Sequence, residues 1–457
     1  MPNNDAPVEK SRVAHPSGGS WYLVILCMIA YLFSFIDRQI IALLVEHIRA
    51  DFDISDTQFS LIHGFSFAIF YAVMGLPIAR LADTKSRPVI IAAGIAFWSC
   101  ATAVCGLAKN YWHLFFARMG VGVGEAALSP AAYSMITDSF PKSKLGLALG
   151  IYSMGSFFGA GLAFIVGGVA IDWVITHIGT VELAFLGVIK PWQMTFMIVG
   201  LPGLLVAALF YLTIKDPPRK GVDAESDGFS VGQVFAYIGS HKHTFIAHYF
   251  GFALLALVLF ALLSWAPAFI LRKFALTTRE TGLYLGFIVL VCNALGVLCS
   301  GWLTDYYSRK GRGDAAMRAG IVGGLGVLIP TAVFPFLAGL ESTLIVLGVA
   351  FFFASFPMAT SAAALQMMAP NQMRAQGTAI FFLFMNLFGI TGGATLVALS
   401  TDYLFGDEKA VGFSMALVAC VAAFLAVLIM SKGLKHYRET VDLVAKDAEA
   451  LNAVSSA

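Results

Sequence analysis

Residues 79–87 read ARLADTKSR, and residues 301–309 read GWLTDYYSR. Sliding the chain on itself by 222 positions lays one stretch over the other. Leu61, Gly64, Phe65, Leu81, Asp83 and Arg87 then fall on Leu283, Gly286, Phe287, Leu303, Asp305 and Arg309. These identities lie within one apolar run and the loop that follows it, which marks an internal duplication. The openings of the two copies agree as well. Ser55-x-x-Gln58 and Thr277-x-x-Glu280 both have the form of a capping box at a helix start. Two repeats of this kind around a central site are the plan of a secondary transporter.

Working outward, the 457 residues are 59% hydrophobic and only 12% charged, about half the usual globular share of charge. The mean hydropathy is +0.81. A water-soluble fold cannot cover that much apolar surface with so few charges, so a soluble enzyme, a nucleic-acid binder and a disordered chain are excluded. A net charge of +2 implies no polyanion partner. Twelve stretches are long enough to cross a bilayer as helices: 21–45, 58–82, 88–107, 112–137, 145–171, 192–214, 243–271, 281–304, 315–338, 342–368, 375–400 and 410–431. They are continuous apolar runs without the alternation of a membrane β-barrel. The fold class is therefore all-α, with twelve membrane helices in two pseudo-symmetric bundles of six.

The chain divides into a polar N-terminal tail (1–20), a first bundle (21–214), a polar linker with Pro217-Pro218 (215–242), a second bundle (243–432) and a C-terminal tail (433–457), whose part from Leu434 reads as a surface helix. The first tail reads as flexible, with no cleavable signal. The moderately apolar segment 177–191 reads as a loop or a re-entrant piece. With the N-terminus inside, 20 of the 29 Lys and Arg residues lie in inner segments, 7 in outer segments and 2 within spans. That bias places both termini in the cytoplasm. Cys27, Cys100, Cys105, Cys292, Cys299 and Cys420 form no C-x-x-C or Cys/His cluster and read as small apolar residues rather than metal ligands.

An ionisable residue inside a span costs roughly 2.5–3.5 kcal/mol on insertion scales. Four lie deep: Asp37 and Arg38 in the first span, Arg118 and Glu125 in the fourth. Asp37 sits about 24 Å along its helix, at a depth the fourth span also reaches. Arg118 and Glu125 are two turns apart on one face. A buried carboxylate without full pairing can bind a proton, which makes Asp37 and Glu125 proton-coupling candidates. A guanidinium holds phosphate or carboxylate bidentately, which makes Arg38 and Arg118 head-group candidates. A structural ion-pair network is the plainer reading of the same four residues. The second half is nearly free of charge and rich in Phe, Leu and Met; Asn293, Gln366 and Asn386 are its deep amides. A charged half facing a Phe-rich half suits a lipid with a polar head. His63 and His248 read as structural.

The two loop stretches resemble the Gly-x-x-x-Asp-x-x-Gly-Arg motif of the major facilitator superfamily, with Ala79, Ser86 and Ser308 in place of glycines. RMGVGVGE (118–125) resembles its Arg-x-x-x-Gly-x-Gly motif, and GSFFGAGLAFIVGG (155–168) its glycine-rich fifth span. The resemblance implies alternating access by two rocking bundles, and a monomer. FIDRQ (35–39) and GVGEAALSPAAYSMITDSFP (122–141) are similar to the spinster branch, whose animal members export sphingosine phosphate or lysophospholipids. Ser34-Phe35 departs from the Asn-Tyr common there. Compact loops suggest a bacterial inner-membrane protein.

The expectation is a proton-driven transporter of an amphipathic, anionic or zwitterionic lipid-like molecule, without cofactor or metal. A symporter of hydrophilic organic anions or sugar acids is the alternative, and a multidrug exporter comes after it. No zinc-type histidine motif, nucleophile elbow or phosphate loop points to an enzyme. Asp83 with Arg87, and Asp305 with Arg309, are expected to latch the inner gate, each Asp accepting from a helix start of the opposite half near Arg374 or Lys144.

Overall fold

The structure is a computed structural model and describes residues 18–183, 187–219, 231–370 and 373–455. Eleven helices among them are long and apolar enough to cross a membrane: Gly18–Leu43, Asp56–Gly75, Arg87–Cys105, Lys144–Ile178, Pro191–Thr213, Lys242–Phe274, Thr278–Arg309, Ala315–Phe336, Leu340–Met368, Gln376–Phe405 and Glu408–Lys446. The remaining crossing, fourth in order, is made of two pieces, Tyr111–Glu125 and Leu128–Ser139, that meet at Ala126 and Ala127. The expected twelve spans are therefore present, their ends displaced by a few residues.

Local sequence explains the starts. Ser55 and Thr277 close the expected capping boxes with Gln58 and Glu280, and the Asn110 side chain accepts from the His113 N–H. Pro88 and Pro191 occupy first-turn positions, where a missing N–H costs nothing. Large apolar side chains such as Leu212 and Ile329 are about three-quarters exposed, at 76% and 74%. Such surface is stable only against lipid.

Three differences from the sequence reading have physical causes. Segment 177–191 contains a small antiparallel pair, Val181–Leu183 with Gly187–Ile189, whose backbone groups are satisfied across the pair. Within the linker, Val231–Ser240 is helical. The chain after Leu434 is no separate surface helix: the last helix runs unbroken over Val411–Ser455, passing through Gly433, which packs against Ala247. Tyr437 donates to the Ala364 carbonyl at 2.8 Å, and Arg438 reaches Asp314 at 3.0 Å, which fixes this extension to the second bundle. The N-terminal tail, 1–17, lies outside the described residues.

The face carrying the linker is called here the linker face, and its opposite the far face. The halves meet along the first and seventh, second and eleventh, and fifth and eighth spans. At the last contact backbones nearly touch: a Cβ on Gly282 would strike the Phe164 carbonyl, and one on Gly286 the Ile165 side chain.

Candidate functional site

The four deep charges converge in the first half. The fourth span turns Glu125 toward the first, where its Oε2 accepts from Arg38 and from the Ser34 hydroxyl, both at 2.5 Å. Arg118, one face down the same helix, donates to the backbone carbonyl of Asp37 at 3.1 Å. The pairing is crossed: the span that supplies Asp37-Arg38 meets the span that supplies Arg118 and Glu125, 38 with 125 and 37 with 118. Arg118 is fully buried and Asp37 nearly so; Arg38, at 8%, is the most exposed of the four.

The cluster is incompletely satisfied. Glu125 Oε1, Arg38 Nε, and both Arg118 Nε and one of its terminal nitrogens have no hydrogen-bond partner. On the third span, the buried Trp98 Nε1 and Thr102 Oγ1 are directed at the Asp37 carboxylate. A half-satisfied buried network is costly.

Sequence reasoning missed an aromatic tract. Arg38 lies over Phe35 at 4.6 Å; Phe35 meets Tyr31 edge-on, Tyr31 stacks on Tyr152, and Tyr152 meets Tyr133. Because Tyr31 and Phe35 precede Arg38 by two turns and one, the tract descends from the charges toward the linker face. Spacing of aromatics at four along the first span was the available signal.

The deep amides of the second half divide. Asn293 is buried in a π-helical turn of the eighth span with its carbonyl oxygen unpartnered. Gln366 is exposed, and Asn386 spends its amide on the Phe382 carbonyl of its own helix, so neither is a buried site group. His248 is structural, its Nε2 2.8 Å from the Ser361 carbonyl. His63 is buried in a π-helical turn of the second span, beside Phe59.

The expected latch is not formed among the described residues. Arg87 ties its own half to the start of the linker: its side chain, 1% exposed, donates to Asp138 at 2.5 Å, Asp216 at 2.8 Å, Ser134 at 2.8 Å and the Pro217 carbonyl at 2.6 Å. A buried guanidinium needs several acceptors at once, and this corner supplies them. The Asp83 side chain lies outside the described residues. Asp305 and Arg309 are exposed, and the one bond described for Arg309 runs to the Asp305 carbonyl. Arg374 bonds Ala369 of its own half.

The halves are instead tied at the far face, a site not foreseen. Arg272 at the end of the seventh span grips Asp56 with two nitrogens, each at 2.7 Å, and Glu46 at 2.8 Å. Arg49 returns the connection, reaching Asp56 at 3.0 Å and Glu408 at 2.8 Å. The Thr57 N–H donates to Asp402 at 2.7 Å, and Phe59 packs on Trp265 beneath. The far face is closed.

Two repeated six-helix bundles meeting at these spans match what comparison finds. Residues 27–394 match the Major Facilitator Superfamily. The chain belongs to this superfamily. An MFS-type efflux pump of Mycolicibacterium smegmatis (strain ATCC 700084 / mc(2)155) is 27% identical over 94% of this chain and 96% of its own. Protein spinster of Drosophila melanogaster is 28% identical over 66% of this chain and 49% of its own, so the chain spans about half the length of that relative. A protein described as a probable L-galactonate transporter of Escherichia coli (strain K12) is 25% identical over 63% of this chain and 62% of its own. Among solved structures, an unoccupied, inward-facing bacterial homolog of the human lysosomal transporter Spinster gives a TM-score of 0.77 at 24% identity, covering 95% of this chain and 99% of that one. This superfamily transporter is thus related to spinster and to sugar-acid transporters, and its charged cluster is the candidate transport site.

Proposed function

We propose that the protein is a proton-driven transporter of an amphipathic anionic or zwitterionic lipid of the sphingolipid or lysophospholipid kind. The observation that carries this reading is the half-satisfied charge cluster opening on an aromatic tract. Arg38, the most exposed of the four charges, binds the phosphate or carboxylate head. The alkyl chain lies along Phe35 and Tyr31 and against the Phe-rich second half, where Phe250, Phe384 and Phe388 pack together. Asp37 and Glu125 carry protons. Arg118, sealed from the surface, balances Asp37 and does not touch the head group; here the structure supports a narrower role than the residue types alone suggested.

The linker face is placed in the cytoplasm, because most Lys and Arg residues lie there. The far face is closed, as the inward-facing state of an alternating-access cycle requires. The similarity to an efflux pump over nearly the whole chain and to spinster supports export of amphiphiles. The similarity to an L-galactonate transporter favours a second reading, symport of a hydrophilic sugar acid.

Flux into proteoliposomes tests both. Lysophosphatidic acid, lysophosphatidylcholine and galactonate are compared with and without a pH gradient. The lysolipids should move and respond to the gradient. Movement of galactonate alone sinks the lipid reading. Glu125→Gln should abolish the response to pH while lysolipid exchange persists; full pH-driven flux in that variant removes Glu125 from the proton path.

A further inference from the structure

Two guanidiniums bear on one benzene ring. The Arg38 guanidinium carbon lies 4.4 Å from the centroid of Phe67, and that of Arg118 lies 5.8 Å from the same centroid. Phe67 is wholly buried in the second span, one helical turn after His63. Its backbone is pressed by the fourth span: a Cβ on Gly122 would collide with the Phe67 carbonyl. The Phe67 backbone is therefore packed tightly on the helix that supplies Arg118 and Glu125.

A ring attracts a cation through its quadrupole, and two like charges at one ring repel each other across it. Both cations bear on the ring at once, so a displacement of one changes the field felt by the other. Arg38 is bound to the Glu125 carboxylate and Arg118 to the Asp37 backbone carbonyl, so the ring touches the cations held at both carboxylate-bearing residues.

We propose that Phe67 is a coupling residue: through the shared ring, engagement of Arg38 by an anionic head group resets Arg118 and the proton-carrying Asp37 beside it. This is a positioning role, and it rests on the reading of Arg38 and Asp37 given above. Phe67→Leu removes the quadrupole and keeps a smaller apolar side chain; Phe67→Tyr keeps the ring.

The test measures lysophosphatidic acid exchange and pH-gradient-driven accumulation in proteoliposomes, with an internal pH dye. Phe67→Leu should exchange the lipid within about twofold of the parent, yet lose accumulation about tenfold and move few protons per lipid. Phe67→Tyr should keep both. Accumulation in Phe67→Leu equal to the parent overturns the proposal. If the parent carries no lysophosphatidic acid, the substrate reading fails by itself. Coupling is then read without substrate, from the pH dependence of maleimide labelling at Ser60→Cys on the far face. That dependence should be flattened by Phe67→Leu and restored by Phe67→Tyr. An unchanged profile, or a parent whose labelling ignores pH, overturns the coupling role. Should Phe67→Leu not fold, Phe67→Met takes its place in every arm.

Discussion

Arg272 holds Asp56 by two parallel hydrogen bonds of 2.7 Å across the junction of the two bundles. Asp56 is fully buried and also receives Arg49 at 3.0 Å. One carboxylate thus joins a guanidinium of its own half to one of the other.

Removing that carboxylate's charge should open the far face. Breaking a buried pair by changing one partner costs roughly 3–5 kcal/mol, and here much of the cost falls on the closed state. Asp56→Asn should therefore raise maleimide labelling of Ser60→Cys, a position wholly buried in the parent and 3.5 Å from Thr395 of the opposite half. Labelling as slow as in the parent shows that the clamp does not hold the closed state.

Replacing Arg38 by lysine should weaken substrate binding without slowing the bound carrier. A lysine keeps the charge but loses the planar fork and the ring stacking. A loss of about 1.4 kcal/mol, a tenfold rise in KM, is expected for lysophosphatidic acid with kcat nearly kept. A fall in kcat at constant KM assigns Arg38 to the transport step instead.

Arg87 and Asp305 should behave oppositely although they belong to the same repeated motif. Arg87→Met leaves Asp138 and Asp216 without their shared cation and should lower stability by roughly 3–5 kcal/mol. Asp305→Asn, on an exposed residue, should alter it by less than about 0.5 kcal/mol. Thermal unfolding in detergent measures both. Equal melting of Arg87→Met and the parent contradicts the structural role of that corner.

Gly282→Ala should push the fifth and eighth spans apart at their closest approach. Overpacking of this kind typically costs about 1–3 kcal/mol. Because the contact lies between the halves near the far face, the variant should share the fast Ser60→Cys labelling of Asp56→Asn. Labelling at the parent rate shows that the backbones yield locally.

The fold was legible in the sequence because its signals are local. Apolar length gave the spans, Ser55 and Thr277 gave matched helix starts, and the repeat gave the symmetry. The candidate site was partly legible: scarcity of charge singled out Asp37, Arg38, Arg118 and Glu125, since few residues are tolerated at that depth. Their crossed pairing was not, because adjacent residues on a helix point about 100° apart and only the packing of the first and fourth spans decides which meets which. Phe67 was hidden among 39 phenylalanines, with nothing in its neighbours to single it out. The clamp at the far face was beyond reach as well. Asp56 and Arg272 are separated by 216 positions, and each looks like an ordinary helix-end charge. The cluster of Glu46, Asp51, Asp53 and Asp56 beside a sparse set of outer cations was the hint that went unused. The partners of Arg87 were not legible because its acceptors, Asp138 and Asp216, come from elements 51 and 129 residues away.

The unbroken last helix makes the second bundle carry a lever. Its 45 residues form a rod about 68 Å long, pinned to the bundle through Tyr437 and Arg438. A tilt of roughly 10° in that bundle sweeps the rod's free end through about 12 Å for this length. A rocking motion too small to see between neighbouring spans becomes a displacement that a single probe at the end of the chain can follow.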